Sequence, residues 1–312
     1  MERTAGTGAP KSPKRVLVAV VPKRLGVPAG PERLPDSVTD GGHECVAEQA
    51  RNWQQMAGNA SFWEMRATQN GAELDRAYEL AGQMASTGEQ LALALAAAGE
   101  VALWRDVRDA AEPADEMCMR AMAESQCLFV IGAGHGLANV AARALCLNTA
   151  LRCKLAGALK RKRPQPYIPF SDDTADWVSM NAKICGALQA TAASASAHEV
   201  AALIEPVVAL GSGSSWKALI QRRGEDFHRW RPQTHGIEGV PRSTPWKHEG
   251  NVRRLGLGPL TYEDADGRAD ETACIATTAM LDLAKAMECF LKRWPRASGP
   301  LGGPEFGRAD HG

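Results

Sequence analysis

Apolar side chains recur at helical spacing through most of the chain. In the stretch HECVAEQARNWQQMA, for example, Val46, Trp53 and Met56 fall close to the period of one helix face. Alanine and leucine are abundant and aromatic residues make up only 5% of the chain, a composition that favours helices over strands. The pattern predicts an all-α fold, a multi-helix bundle with disordered N- and C-terminal tails.

The two ends of the chain depart from this pattern. Residues 1–42 mix proline, glycine and lysine around one short apolar run, VLVAVV, and the segment that starts at Trp294 has a similar composition. The predicted organisation is a disordered arm (1–42), a helical N-terminal segment (43–112), a helical bundle (113–294) and a disordered tail (295–312).

Local signals predict where the first helices begin. Ser61 is predicted to start one helix, and Thr87 with Gln90 forms a capping box that predicts the start of another. Pro113 suits the first turn of the next helix, because its missing N–H is not needed there. Asn148 or the residue after it is predicted to restart the chain as a further helix.

Similar signals divide the second half of the chain. Asp172 or Asp173 is predicted to cap a helix through TADWVSMNAKICGALQATA, and Pro206 is predicted to interrupt the helix that follows. Asp270 is the predicted cap of the last helix. Loops as long as the Pro/Gly-rich connection over residues 231–262 are usually functional or disordered in compact domains. This one is predicted to pack over the bundle, with Trp230 and Trp246 as its apolar anchors.

The net charge and the cysteines limit the kinds of function that the sequence favours. Thirty-six basic residues balance 36 acidic ones, so any surface for nucleic acid must be local. None of the eight cysteines forms a C-x-x-C pair, and no metal or cofactor is predicted. The N-terminus has no secretory pattern and VLVAVV is too short to cross a bilayer. We therefore expect a cytoplasmic protein without a membrane partner.

The stretch FVIGAGHGLANVAARAL, which begins at Phe129, invites comparison with a dinucleotide-binding turn. Such a turn needs a strand, the spacing G-x-G-x-x-G, and an acidic residue about 20 positions later. Here Gly136 comes one residue early, the preceding segment has a helical pattern, and residues 151–163 offer neither strand nor acid. The sequence therefore favours a helix without a strand before Gly132. A cofactor enzyme that uses the glycines is the alternative.

Each glycine inside a helix lowers its stability by about 1 kcal/mol relative to alanine, so three of them indicate a structural role. Gly132 and Gly136 are four residues apart on one helix face, a spacing that lets a second helix approach closely. Beside them, His135, Asn139 and Arg143 are also spaced by four and form a polar stripe. The stripe is either a solvated helix face or one wall of a polar site.

The stretch QRRGEDFHRWRPQTHG contains Arg223 and His228 in the spacing R-x4-H, near the end of a predicted helix. This motif, together with the helical layout over residues 113–294, resembles the HEPN superfamily. Members of that superfamily are small helical bundles that often cleave RNA, and they commonly pair to bring two motifs together. The resemblance implies RNA as the partner, a homodimer, and Arg223 and His228 as the catalytic residues. Five residues are about 1.4 helical turns, so the two side chains are predicted to face one concave surface.

The chemistry of the two residue types fits that role. Histidine titrates near neutral pH and can accept or donate the protons that metal-independent RNA cleavage requires. An arginine fork matches a crowded phosphate. The remaining candidates for substrate binding supply backbone contacts, a stacking surface and a polar wall: Arg222, Arg229, Trp230, Arg231, His135 and Asn139. The sequence thus predicts a HEPN-like metal-independent endoribonuclease or RNA-binding protein, with a non-catalytic helical scaffold or partner-binding protein as the alternative.

Overall fold

The computed structural model describes residues 43–58, 71–107, 113–159, 177–227, 247–249, 252–254 and 263–302. Within these ranges the chain forms eight α-helices, a short 3-10 turn (Gln55–Gly58) and one small hairpin. The helices are α1 (His43–Gln54), α2 (Gly71–Val107), α3 (Pro113–Cys146), α4 (Thr149–Leu159), α5 (Ala182–Ala193), α6 (His198–Ser212), α7 (Ser214–Phe227) and α8 (Glu263–Leu301). The predicted all-α bundle is confirmed. The arm over residues 1–42 lies outside the described residues.

Helix α3 occupies the centre of the bundle. It packs against the two other long helices, α2 and α8, and against the shorter helices α4 to α7. Its segment Cys118–Cys146 is long and apolar enough by composition to cross a membrane, the one such segment in the described ranges, but it is 72% buried inside the protein. A helix that is apolar all round is what a central position in a bundle requires.

One hydrophobic core joins all eight helices. It contains Trp53 from α1, Trp216 from α7 and Leu301 from the end of α8. Phe290 of α8 lies between Trp53 and Trp294, with ring centroids 5.8 Å and 6.0 Å away. The predicted N-terminal segment and the predicted bundle therefore share one core.

Two predicted helix starts in the first half are confirmed and one is wrong. Helix α3 begins at Pro113, and the Asn148 side chain accepts hydrogen bonds from the first turn of α4, at 3.0 Å from Ala150 N and 3.2 Å from Leu151 N. Thr87, however, begins no helix, because α2 runs through it without a break. Its hydroxyl donates to Gln83 O at 2.6 Å. The predicted start at Ser61 lies outside the described residues.

The predicted start of α5 is also wrong. The helix begins at Ala182, and its cap is Asn181, whose side-chain oxygen accepts from Ile184 N at 3.0 Å. Residues 177–180 precede it without helical structure, although the sequence pattern assigned them to the helix. Two polar side chains of α3 bind the backbone of this segment, as described below, and a helical conformation would remove those bonds. Asp172 and Asp173 lie outside the described residues.

Pro206 does not interrupt α6, which continues through it to Ser212. A proline has no N–H, so the carbonyl four residues earlier loses its helical partner. That carbonyl belongs to Ala202, and Arg293 of α8 donates to it at 2.5 Å while also pairing with Glu205 at 2.8 Å. The Arg293 guanidinium thus replaces the donor that Pro206 lacks.

This replacement predicts a coupling between the two positions. We expect Arg293→Ala to lower the free energy of unfolding by about 1–2 kcal/mol, because the Ala202 carbonyl loses its donor. In a Pro206→Ala background, the restored N–H at position 206 binds Ala202 O, and the loss on Arg293→Ala should fall by about half. A double-mutant cycle from urea unfolding measures this. Equal losses in the two backgrounds would contradict it.

The last helix is longer than predicted at both ends. Helix α8 begins at Glu263, so Asp270 is not its cap; its carboxylate instead binds Arg105 of α2, at 2.8 Å from Nε. At the other end α8 continues through Pro295 to Leu301, where the sequence predicted a disordered tail. The reason is burial, since Leu301 packs into the core in spite of the surrounding prolines and glycines.

Most of the connection over residues 231–262 lies outside the described residues. The described part is a hairpin of two three-residue strands, β1 (Lys247–Glu249) and β2 (Val252–Arg254), paired antiparallel. Trp230 and Trp246, the residues expected to anchor this connection on the bundle, are not among the described residues. Its packing over the bundle stays a prediction.

Candidate functional site

Helix α3 runs unbroken through the glycine stretch, as predicted. No strand precedes Gly132, so the described structure contains no dinucleotide-binding turn there. A Cβ at Gly132 would lie 2.9 Å from Gln90 Oε1, and a Cβ at Gly136 would clash with Thr87. Both contacts come from α2. The predicted close helix crossing is therefore confirmed.

Gly134 serves a second crossing, with the helix that carries the R-x4-H motif. A Cβ at Gly134 would clash with the Trp216 ring of α7. Trp216 also packs edge-on against His135, with ring centroids 5.8 Å apart and ring planes at 71°. Three glycines in five residues thus let α3 approach α2 on one side and α7 on another. The sequence pattern did not reveal that two different partners share them.

The polar stripe on α3 is not a solvated face. Asn139 is completely buried and Arg143 nearly so. The Asn139 amide donates to Val178 O at 2.7 Å and accepts from Val178 N at 3.0 Å, so one side chain satisfies both backbone groups of Val178. It also donates to His135 O at 2.7 Å. Asn139 therefore holds residues 177–180 against α3, and its burial prevents the direct substrate contact that the sequence predicted.

His135 binds the same segment through its ring. The backbone N–H of Met180 donates to His135 Nδ1 at 3.0 Å. Because Nδ1 accepts this bond, the ring proton of the neutral form is on Nε2. Burial and the positive charge of Arg223 lower the pKa of His135 to about 4. At pH 7 the ring is therefore neutral and offers Nε2–H as a donor.

Arg223 of the motif and the adjacent Arg222 have different surroundings. Arg222 is 95% buried and forms an ion pair with Glu271 of α8, so its charge serves the contact between α7 and α8. Arg223 has a buried Nε without a hydrogen-bond partner within the described ranges. It lies about two turns after Trp216 on the same helix face, and it is the charge that acts on His135.

At the crossing of α3 and α7, His135 packs against Trp216, and Arg223 follows Trp216 two turns later on α7. The sequence pointed to Arg223 and His135 separately but missed Trp216 and Met180, whose apolar character is typical of core residues. The other predicted site residues follow the end of α7 and lie outside the described residues: His228, Arg229, Trp230 and Arg231. Whether His228 shares a surface with Arg223 stays a prediction.

Other site types find no support in the part of the chain that the structure describes. No group of three or more His, Cys, Asp or Glu side chains there could hold a metal ion. All eight cysteines are free thiols, and Cys146 has a pKa raised to about 12 by burial, so it is not a reactive thiolate. No protein-family model, curated protein or solved structure matches the chain.

Proposed function

We propose that the protein binds RNA and cleaves it without a metal ion, as a HEPN-like endoribonuclease in which Arg223 binds a backbone phosphate and His228 transfers protons. The observation that carries the proposal is the environment of Arg223. Its neighbour Arg222 is paired with Glu271, whereas Arg223 keeps a buried Nε without a partner among the described residues.

An arginine in this condition is suited to an external anion. The Arg223 Nε is buried, so an external anion would bind to the terminal nitrogens of the guanidinium, which are not among the buried atoms without a partner. The guanidinium fork matches two oxygens of a phosphate, and bonds between charged groups are the strong ones. RNA supplies such a phosphate at every nucleotide. Because the net charge of the chain is zero, a local site of this kind is the form that RNA binding has to take here.

The cleavage step assigned to His228 is an internal transesterification. The neutral imidazole accepts the proton of the RNA 2′-hydroxyl while the 2′-oxygen attacks phosphorus, and the bond from phosphorus to the 5′-oxygen breaks. A protonated imidazole returns a proton to the leaving 5′-oxygen. In a paired protein the second copy of His228 supplies that acid. Arg223 stabilises the charge that builds up on the phosphate oxygens.

The test is cleavage of single-stranded RNA in the presence of a metal chelator. We expect the wild-type chain to yield a 2′,3′-cyclic phosphate and a 5′-hydroxyl, and His228→Ala to slow cleavage by about 10²–10⁴-fold. His198→Ala is the matched control, because the His198 side chain is 90% exposed at the start of α6. Cleavage that persists in His228→Ala, or that stops in the chelator, would contradict the proposal.

A second candidate is a non-catalytic partner-binding protein, and two features favour it. A cleft of about 460 Å³ lies between α5 and α6, lined mainly by small apolar side chains such as Ala192, Ala201 and Val208. Trp177 is 50% exposed, which is unusual for a side chain of that size. If the chain neither binds nor cleaves RNA, this function becomes the stronger proposal.

A further inference from the structure

Trp177 presents a large aromatic ring at the surface of the bundle. Its exposed fraction is 50%, and the one other large hydrophobic side chain that is exposed in the described ranges is Leu128, at 39%. Tryptophan side chains are highly buried on average, because the ring carries a large apolar area. A half-exposed tryptophan is therefore a candidate contact for a ligand.

The backbone next to Trp177 is fixed by two buried or half-buried polar side chains of α3. Asn139 donates to Val178 O at 2.7 Å and accepts from Val178 N at 3.0 Å. His135 Nδ1 accepts from Met180 N at 3.0 Å. Three hydrogen bonds thus hold a segment of four residues that has no helical structure of its own.

The inward side chains of this segment are anchored as well. Val178 and Met180 belong to the hydrophobic core, and a Cβ at Gly211 of α6 would lie 3.2 Å from Met180 Cγ. Trp177 and Ser179 are exposed, so burial alternates along the segment. Since the backbone is already fixed and an aromatic side chain has only two rotatable bonds, a ligand that contacts the Trp177 ring orders little additional structure.

The surroundings of the ring favour a base over a protein partner. The exposed residues that follow Trp177 are polar or small: Ser179, Asn181, Ala182 and Lys183. A stable protein interface takes about 800 Å² from each partner and has an apolar centre, which one ring among polar residues does not provide. One ring does match the face of one nucleobase, and the charge among these residues, on Lys183, has the sign that attracts RNA.

We propose that Trp177 is a stacking platform for one unpaired nucleobase, and that Asn139 is the positioning residue that holds it in place. The proposal rests on the proposed function, under which the ligand is RNA. It gives the polar stripe of α3 an indirect part in binding, because the buried amide acts through the backbone of Val178. Stacking requires neither His228 nor cleavage.

The test measures binding of the full-length chain to a 2′-O-methyl hexa-adenylate, which cannot be cleaved because its 2′-oxygen is blocked. We expect Trp177→Ala to weaken binding about 10-fold to 100-fold and Trp177→Phe, which keeps a ring, to weaken it much less. Leu128→Ala, at the other exposed large side chain, is the matched control and should bind as the wild type does. A hexamer of the same backbone without bases should bind the wild type and Trp177→Ala equally.

The positioning role of Asn139 has its own readout. Asn139→Leu should weaken binding of the hexa-adenylate as Trp177→Ala does, but in a Trp177→Ala background it should weaken binding little further. Losses that multiply in the double variant would contradict the positioning role. Gln126→Met, at another buried amide of α3, should leave binding unchanged.

A measurement on the wild-type chain does not depend on the folding of any variant. The same hexamer with one 5-iodouridine in place of adenosine should, on ultraviolet irradiation, form a cross-link to Trp177 that mass spectrometry of the peptides locates. A cross-link confined to other residues would overturn the stacking platform.

The outcomes separate this platform from the proposed function. Equal binding of hexa-adenylate by the wild type and Trp177→Ala would overturn the platform and leave the proposed function in place. Binding that depends on Trp177, together with RNA cleavage that His228→Ala does not slow, would support the platform and contradict the proposed cleavage. A wild-type chain that does not bind the hexamer would contradict both. A dimer that sedimentation detects in the wild type and not in Trp177→Ala would assign the ring to a second copy of the chain and overturn the platform.

Discussion

Replacing Gly88 by alanine should lower the free energy of unfolding by about 3 kcal/mol, a large effect for a single methyl group. Gly88 lies in the middle of α2, where α1 crosses it. A Cβ there would lie 2.7 Å from Ala50 O, 2.8 Å from Gln54 N and 2.9 Å from Trp53 Cβ. Two of these atoms are backbone, so they cannot move unless the whole of α1 moves, and overpacked helix contacts typically cost 1–3 kcal/mol or more.

The same helix provides the matched control. Gly82 is six residues earlier in α2, is exposed, and has nothing within 4 Å of the position of a new Cβ. Gly82→Ala should therefore raise the free energy of unfolding by about 0.5–1 kcal/mol, because alanine restricts the unfolded chain and favours the helix. Urea unfolding followed by circular dichroism measures both. Equal shifts in the same direction would show that α1 does not lie against Gly88.

Replacing Asn139 by leucine should also cost about 3 kcal/mol or more. Leucine has the same branched shape and the same number of side-chain heavy atoms and is somewhat larger, so no cavity forms and the loss comes mainly from hydrogen bonds. Without the amide, the N–H and C=O of Val178 both lose their partner in a buried position. Each unsatisfied buried group costs about 1–3 kcal/mol. We also expect residues 177–180 to detach locally, which hydrogen exchange at Val178 and Met180 would detect.

A second buried amide on α3 serves as the control. Gln126 is completely buried, but it makes one hydrogen bond, to the Thr277 hydroxyl at 2.9 Å, and its Oε1 has no partner within the described ranges. Gln126→Met removes an amide that is half satisfied, so the free energy of unfolding should change by less than about 1 kcal/mol. If Asn139→Leu lowers the free energy of unfolding no more than Gln126→Met does, the Asn139 amide does not hold residues 177–180.

The sequence alone identified only some of the residues of the candidate site. It singled out Arg223 as a phosphate ligand and His135 as a member of a polar stripe, because arginine and histidine are recognisable by chemistry alone. It could not tell that Arg222 is engaged by Glu271 and Arg223 is not, since Glu271 lies nearly fifty residues away in the chain. Nor could it tell that Asn139 serves the backbone of Val178 and not a ligand.

Short stretches of sequence predicted the features that depend on neighbouring residues alone. The helical period predicted the all-α bundle, Pro113 and Asn148 marked helix starts, and the glycine spacing predicted a close crossing without a cofactor turn. These follow from backbone geometry and nearest-neighbour hydrogen bonds, which a window of a few residues contains.

Tertiary contacts decided the features at which local signals failed. Thr87 carries a capping signal but lies within α2, because burial against Gly136 of α3 outweighs a cap worth about 1 kcal/mol. Pro206 remains inside α6 because Arg293 replaces its missing donor from another helix. The ring of His135 is neutral because burial and Arg223 act on it across the α3–α7 crossing. Each of these causes is distant in sequence and close in space, so only the folded chain determines it.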